Sequence, residues 1–331
     1  MLRIPIASTA SFRRFFQSSS HQRHENPLGL PNRKGPPPQM PRRNAPIEKR
    51  NIANVRKVVA VASGKGGVGK STVAVNLAFA LAANKFNSDH TRKPLRVGIL
   101  DLDIFGPSIP KLMGLEEAEE PRLTHRGAII PLVNHSIPCM SMGFLIPRDT
   151  TSGSNVDKAV IWRGLMVQKA VQQLLFDVDW RGADEAGEGL DVLVLDMPPG
   201  TGDVPLTLGQ LVKVDGAVIV STPQDVALAD VRKGVTMFKK ISVPITGLVL
   251  NTSHFMCPSC STPHYIYGEP TEFRKVAQNL NAQVLGELPL VAGVSSASDR
   301  GVPYMLEKGA DEGWKNVMNG IAERVYNNLG L

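Results

Sequence analysis

Cysteine is scarce in this chain, with three in 331 residues. So few exclude a disulfide framework and suit a reducing compartment. Long apolar runs are missing too: none reaches the roughly 18 residues that a bilayer crossing needs, because Gly, Ser or charge interrupts each one. The sequence therefore predicts no integral membrane span. Acid is nearly absent from residues 1–50, which hold ten Lys/Arg against two acidic residues, whereas residues 51–331 hold 27 against 28. The formal charge of +7 thus belongs to the leader, and it gives no reason to expect a nucleic-acid partner for the folded part. No internal repeat is present.

The leader "MLRIPIASTASFRRFFQSSSHQRH" has four Arg, six Ser/Thr and no acid. That composition predicts a mitochondrial transit peptide over residues 1–24, the bland alternative being a disordered basic tail. Residues 25–50 are Pro-rich and lack any hydrophobic period, as expected of a linker. Residues 51–331 form the expected folded domain. There, short apolar runs alternate with helical stretches: "KVVAVAS", "LRVGILDLD", "LDVLVLD", "GAVIVST", "ITGLVLN" and "QVLGELPL" read as strands. "TVAVNLAFALA", "VIWRGLMVQKAVQQLL", "ALADVRKGVTMFKK" and "EFRKVAQNL" read as helices between them. Strands apolar on both faces and separated by helices predict one doubly wound α/β domain with a mostly parallel sheet. Residues 116–150 read as an inserted strand pair and "RGADEAGEG" as a surface loop. The last helix places Trp314, Val317, Met318, Ile321, Val325 and Leu329 on one side, which predicts core packing rather than a membrane-lying helix.

Between the first strand and first helix lies "GKGGVGKST", Gly64 to Thr72, which fits G-x-x-x-x-G-K-[ST] in the required strand–loop–helix context. This is a P-loop NTPase signature, and it predicts ATP as ligand. Gly64, Gly66, Gly67 and Gly69 let backbone amides, Val68 among them, turn toward phosphate oxygens. The helix starting near Lys70 aims its positive end at the same anion. Lys70 supplies charge to the β- and γ-phosphates, and Ser71 is the expected Mg²⁺ ligand, followed by Thr72 in the same turn. Asp196 ends "LDVLVLD" at the carboxyl edge where such sheets bind ligands, placed to hold Mg²⁺ directly or through water. Of Asp101 and Asp103, one should stand near the γ-phosphate to orient water. Asp101 or Asp203 could instead cap the following turn.

Cys257 and Cys260 stand two residues apart, flanked by His254 and His264. A single pair supplies two thiolates where zinc and iron-sulfur sites want four ligands. The histidines could complete a one-chain Cys₂His₂ zinc site, or two chains could build Cys₄, and spacing alone does not choose. A redox pair is a weaker reading, because "CPSCSTP" reads as loop rather than helix start. Cys139 reads as a buried small hydrophobe.

Taken together, "ASGKGGVGKSTVAVNLA", "DLDIFGPSIPKLMG", "WRGLMVQKA", "DMPPGTGDVPLTLGQ", "STPQDVALADVRKG", "CPSC" and "ASDRGVP" resemble the Mrp/ApbC-like deviant Walker A ATPases over residues 50–330. With the leader, the match is to the mitochondrial branch that assembles iron-sulfur clusters for respiratory complex I. The resemblance implies that Lys65 is the signature lysine reaching across a homodimer to the partner's nucleotide, and that Asp103 orients the attacking water. It further implies Asp196 as the Mg²⁺-linked aspartate, Pro198 to Asp203 as switch II, and Asn251 as the adenine-reading residue. Cys257 and Cys260 would bind a 4Fe-4S cluster together with the same pair of a second subunit. The implied partners are an upstream cluster scaffold and iron-sulfur apoproteins, complex I subunits foremost, in the mitochondrial matrix. The "RGADEAGEG" loop is longer than the family pattern. A partitioning or positioning ATPase of the same fold would need no metal, and a small-molecule kinase would need an acceptor pocket that the sequence does not reveal.

Overall fold

The computed structural model describes residues 49–83, 93–145, 164–182 and 187–331. The expected transit peptide lies outside them, as do nearly all of the linker, the start of the helix expected from residue 160 and the middle of the "RGADEAGEG" loop. Ile47–Leu331 forms one compact unit. Its elements in chain order begin with β1 (Val55–Ser63), α1 (Lys70–Ala83), β2 (Val97–Asp101), α2 (Ile109–Leu112), β3 (Leu132–Asn134) and β4 (Ile137–Ser141). They continue with α3 (Gly164–Phe176), β5 (Leu190–Asp196), α4 (Asp203–Leu211), β6 (Gly216–Ser221), α5 (Asp225–Lys240) and β7 (Ile245–Leu250). The last are β8 (Phe255–Met256), β9 (Pro263–His264), α6 (Thr271–Asn279), β10 (Val284–Glu287), α7 (Ala292–Asp299) and α8 (Glu312–Leu329).

Eight strands form one sheet in the order β10-β7-β6-β1-β5-β2-β4-β3. Every pairing is parallel except β3 with β4. β1 lies centrally, and its run from Val58 to Ser63 is buried throughout, as a strand covered on both faces must be. The strand pair expected as an insertion is real, but it is no separate appendage. β4 pairs in parallel with β2, so the hairpin extends the main sheet. Its two-residue turn, His135 and Ser136, has positive φ at both positions, the twist that joins adjacent antiparallel strands tightly.

The final helix packs on α1 and β10. Trp314, Met318, Ile321, Val325 and Leu329 are buried and Val317 packs against the same core, so the stripe belongs to the interior. Each fully buried side chain of that kind contributes about 1.5–3 kcal/mol of transfer free energy, which fixes the helix to the sheet rather than leaving it for a membrane surface. Asp311 caps its start by accepting the Trp314 N–H at 2.7 Å, and Gly330, left-handed at φ 65°, ends it. Among the described residues no helix is long and apolar enough to cross a membrane.

Candidate nucleotide and thiol sites

β1 delivers its last residue, Ser63, to the carboxyl edge of the sheet, and α1 starts at Lys70 with the glycine-rich loop between them. Gly67 and Gly69 take φ of +78° and +80°, backbone that side chains rarely adopt. Gly69 is doubly constrained: a Cβ there would stand 2.3 Å from Asn251 Nδ2. That close approach lets the Asn251 amide donate to the Val68 carbonyl at 2.9 Å. Asn251 therefore braces the loop, a contact that the expected adenine-reading role did not foresee. Gly66 and Gly67 are exposed, and a Cβ at either would meet no atom within 4 Å, so the loop leaves open space where a phosphate could approach.

Lys70 is buried, and its Nζ is bonded to Asp196 Oδ1 at the end of β5 while also donating to Ser71 Oγ at 3.0 Å. Asp196 is fully buried, and burial pushes its carboxyl above the usual range although Lys70 opposes the shift. Its second oxygen, Oδ2, has no hydrogen-bond partner. A buried orphan acceptor next to a serine hydroxyl fits a hard divalent cation with oxygen ligands, so these residues suit Mg²⁺.

The two aspartates at the end of β2, Asp101 within it and Asp103 just beyond, separate clearly. Asp101 is fully buried: Oδ1 accepts the Asp103 N–H at 2.9 Å, and Oδ2 accepts Ser141 Oγ at 3.0 Å and the Ile109 N–H at 3.3 Å. Burial and then the charge of Asp196 push its carboxyl up to about 8. It pins both ends of the following loop and has nothing left for solvent. Asp103 remains half-buried, raised by burial, with the Lys70 charge opposing that shift and Asp196 adding to it. Of the two, only Asp103 keeps partial exposure to solvent.

Lys65 is half-buried and donates to Gln224 Oε1 at 2.7 Å within its own chain. Sequence reasoning missed Gln224, although its place directly after β6 on the carboxyl edge was a usable signal. It also missed Ser141, whose partnership with Asp101 depends on β4 lying beside β2. The segment after β5, expected as switch II, is tied to the P-loop strand by Met197 N–H to Val61 O at 3.0 Å and Gly200 N–H to Ser63 O at 2.8 Å.

The cysteine pair occupies the tip of a small hairpin, β8 with β9. Cys257 N–H donates to Thr262 O at 3.0 Å, and Ser261 N–H donates to Cys257 O at 2.8 Å, closing the tip. Cys257 is half-buried and Cys260 exposed. The Cys260 thiol is held below its ordinary value by hydrogen bonding to Thr262 first and to Cys257 as well. The histidines do not gather on it. His254 Nδ1 meets Ser253 Oγ at 2.9 Å and its ring stacks edge-on to Tyr265, while exposed His264 sits in β9 opposite Phe255. Among the described residues no group of three or more His, Cys, Asp or Glu is placed to hold a metal ion. The hairpin thus presents two thiols and no completed site. Cys139, buried on β4, has its thiol pushed up to about 12, first by burial and then by Asp101.

A strand, a glycine-rich loop and a helix carrying a buried lysine, all at the carboxyl edge of a mostly parallel sheet, define a P-loop NTPase. Residues 54–326 match the family model described as NUBPL iron-transfer P-loop NTPase, of the ParA group, and the chain belongs to that family. It is 48% identical over 275 residues to the iron-sulfur cluster transfer protein NUBPL of Mus musculus, covering 83% of this chain and 78% of that one. It is 43% identical over 279 residues to the Arabidopsis thaliana mitochondrial iron-sulfur protein required for NADH dehydrogenase, covering 82% and 81% respectively. Among solved structures it resembles an ADP-bound nucleotide-binding protein from Archaeoglobus fulgidus at 33% identity and TM-score 0.61, over 80% of this chain and 94% of that one.

Proposed function

We propose that this chain is an ATP-dependent iron-sulfur cluster carrier that works as a homodimer and delivers a 4Fe-4S cluster to mitochondrial apoproteins, complex I subunits foremost. One observation carries this reading: two thiols, uncompleted by any other ligand among the described residues, stand at an exposed hairpin tip in a P-loop NTPase. A second copy contributing Cys257 and Cys260 would make the four thiolates of a cubane cluster. The relatives' names supply the cargo, and the acid-poor leader supports import into the matrix. An upstream scaffold would provide the cluster.

The nucleotide half follows from the loop. Amides of Gly64 to Ser71 would cradle the phosphates, and Lys70 would leave Asp196 for the β- and γ-phosphates. Mg²⁺, held by Ser71 and Asp196, would neutralise charge on the phosphates during hydrolysis. Asp103 would orient the attacking water, Asn251 would add an adenine contact to its brace, and Lys65 would exchange Gln224 for the nucleotide of the partner subunit. Nucleotide state would then bias dimer geometry, and with it retention or release of the cargo.

The test is chemical. Anaerobically prepared protein should contain about four irons and four sulfides per dimer, the load of one shared cubane. Cys257→Ala or Cys260→Ala should abolish the thiolate-to-iron absorption while ATP binding persists, and His254→Ala and His264→Ala should leave it intact. Stoichiometric zinc without sulfide, lost in the histidine variants, would instead make the protein a zinc-stabilised ATPase.

A further inference from the structure

The tip between β8 and β9 has a property beyond ligand supply. Pro258 and Ser259 separate the cysteines in a turn closed by the Ser261 N–H to Cys257 O bond, and Pro258 fixes the backbone at the first of those two positions. Cys257 and Cys260 are the first and fourth residues of this tight turn, a separation that brings Cα atoms within about 7 Å, the range that a disulfide requires. The Cys260 thiol donates to Thr262 Oγ1 at 3.3 Å and the Cys257 N–H donates to Thr262 O at 3.0 Å, so both cysteines are tied to the same residue. They also differ in access, since Cys260 is exposed and Cys257 half-buried. Cys139 is buried in the sheet, so it offers no competing thiol at the surface.

We infer that the unloaded cysteine hairpin is a directional thiol–disulfide exchange site, in which a small-molecule disulfide of the glutathione type is attacked by Cys260 and resolved by Cys257 into an intrachain disulfide. In the first step the deprotonated Cys260 sulfur forms a bond to one sulfur of the small disulfide, whose S–S bond breaks. One small thiol leaves with the proton, and a mixed disulfide remains on Cys260. In the second step the Cys257 sulfur bonds to the Cys260 sulfur, the mixed disulfide breaks, and a second small thiol leaves. The protein is oxidised by two electrons and the small disulfide is reduced by two. Disulfide sulfurs are not thiolate ligands, so the closed hairpin cannot take up a cluster. A dithiol reductant must therefore act before loading. That consequence rests on the carrier reading, whereas the exchange chemistry does not.

The experiment uses the full chain, freed of metal with a chelator and treated anaerobically with oxidised glutathione. Alkylation and mass analysis of the intact and digested protein then read the products. The wild type should lose both hairpin thiols, retain no glutathione and show Cys257 linked to Cys260, with Cys139 still reduced. Cys257→Ser should trap one glutathione on Cys260. Cys260→Ser should react at least about tenfold more slowly, because its remaining thiol is the sheltered one. Two stable adducts per wild-type chain, disulfide-linked pairs of chains, or equal rates in the two variants would overturn the inference. Closure in a protein that never holds iron would leave the exchange site standing and remove the carrier reading. A protein that loads iron but fails to close would do the reverse.

Discussion

Lys70 and Asp196 neutralise each other inside the nucleotide site, and this shapes what each substitution should do. Lys70→Ala removes the phosphate-binding charge and leaves a buried carboxylate alone. ATP binding should vanish by calorimetry, and urea unfolding should show a loss of about 3–5 kcal/mol, the usual cost of orphaning one partner of a buried pair. Adding Asp196→Asn should recover part of that stability without recovering binding. Lys65→Ala breaks one half-buried hydrogen bond, to Gln224. Its ATP affinity should change less than about fivefold, the worth of one ordinary hydrogen bond, while steady-state hydrolysis falls far more. Equal losses of binding in the two lysine variants would contradict a role for Lys65 across the dimer. Asp101 offers a pH test. Its folded carboxyl titrates at about 8 against an ordinary 3.8, so between those values the native chain keeps a proton that the unfolded chain has released. This group therefore favours the fold most at acid pH, its contribution declines as pH rises from about 4 to about 8, and it is constant above that. Asp101→Asn should flatten that slope in urea unfolding measured across the window, at some cost in loop order because an amide cannot accept all three hydrogen bonds.

At the scale of elements, the segment from β1 to α1 was legible because its chemistry is local. Glycines at fixed spacing, an apolar run before them and a helical run after them need no knowledge of the rest of the chain. The parallel strands were legible for a similar reason, being apolar on both faces. What the sequence hid were pairings between distant segments: β4 beside β2, Asn251 against the Val68 carbonyl, and Gln224 under Lys65. α4 was not foreseen as a helix: only its first residue, Asp203, entered the reading, as the end of the expected switch II segment, since Pro205 and Gly209 weaken its helical pattern. Pro205 is tolerated because it lies in the first turn, where backbone N–H groups have no helical acceptor. α7 was hidden by its small and polar residues, which carry almost no apolar period. The contact of Asn251 with the loop gives the element-scale prediction. Gly69→Ala would force a side chain into left-handed backbone and drive its Cβ into the Asn251 amide. The variant should lose about 1–3 kcal/mol in thermal or urea unfolding and lose nucleotide binding with it, whereas an alanine at exposed Gly66 meets no atom within 4 Å. Comparable instability in both variants would show that the Asn251 brace is unimportant.

For the whole molecule, the sequence placed the folded domain from residue 51, and the structure extends its ties slightly upstream. Lys49 Nζ donates to Ile241 O at 2.6 Å, and Arg50 bridges to Val212. Deleting residues 1–46 should leave the unfolding midpoint and ATP affinity unchanged while preventing import into isolated mitochondria. Unchanged import would dismiss the targeting role of the leader, and a lower midpoint would show that the linker belongs to the fold. The P-loop follows β1, Asp101 ends β2 with Asp103 two residues on, Asp196 ends β5, and the cysteine hairpin follows β7, so every one of these segments leaves the same edge of the parallel sheet. The described molecule has a front, and the candidate nucleotide and thiol sites are both on it. A twin chain that covered the front to complete a cubane would cover the surface that a recipient has to reach. Under the carrier reading, twin and client are rivals for one seat, and hand-over has the logic of a swap, in which the arrival of one is the departure of the other.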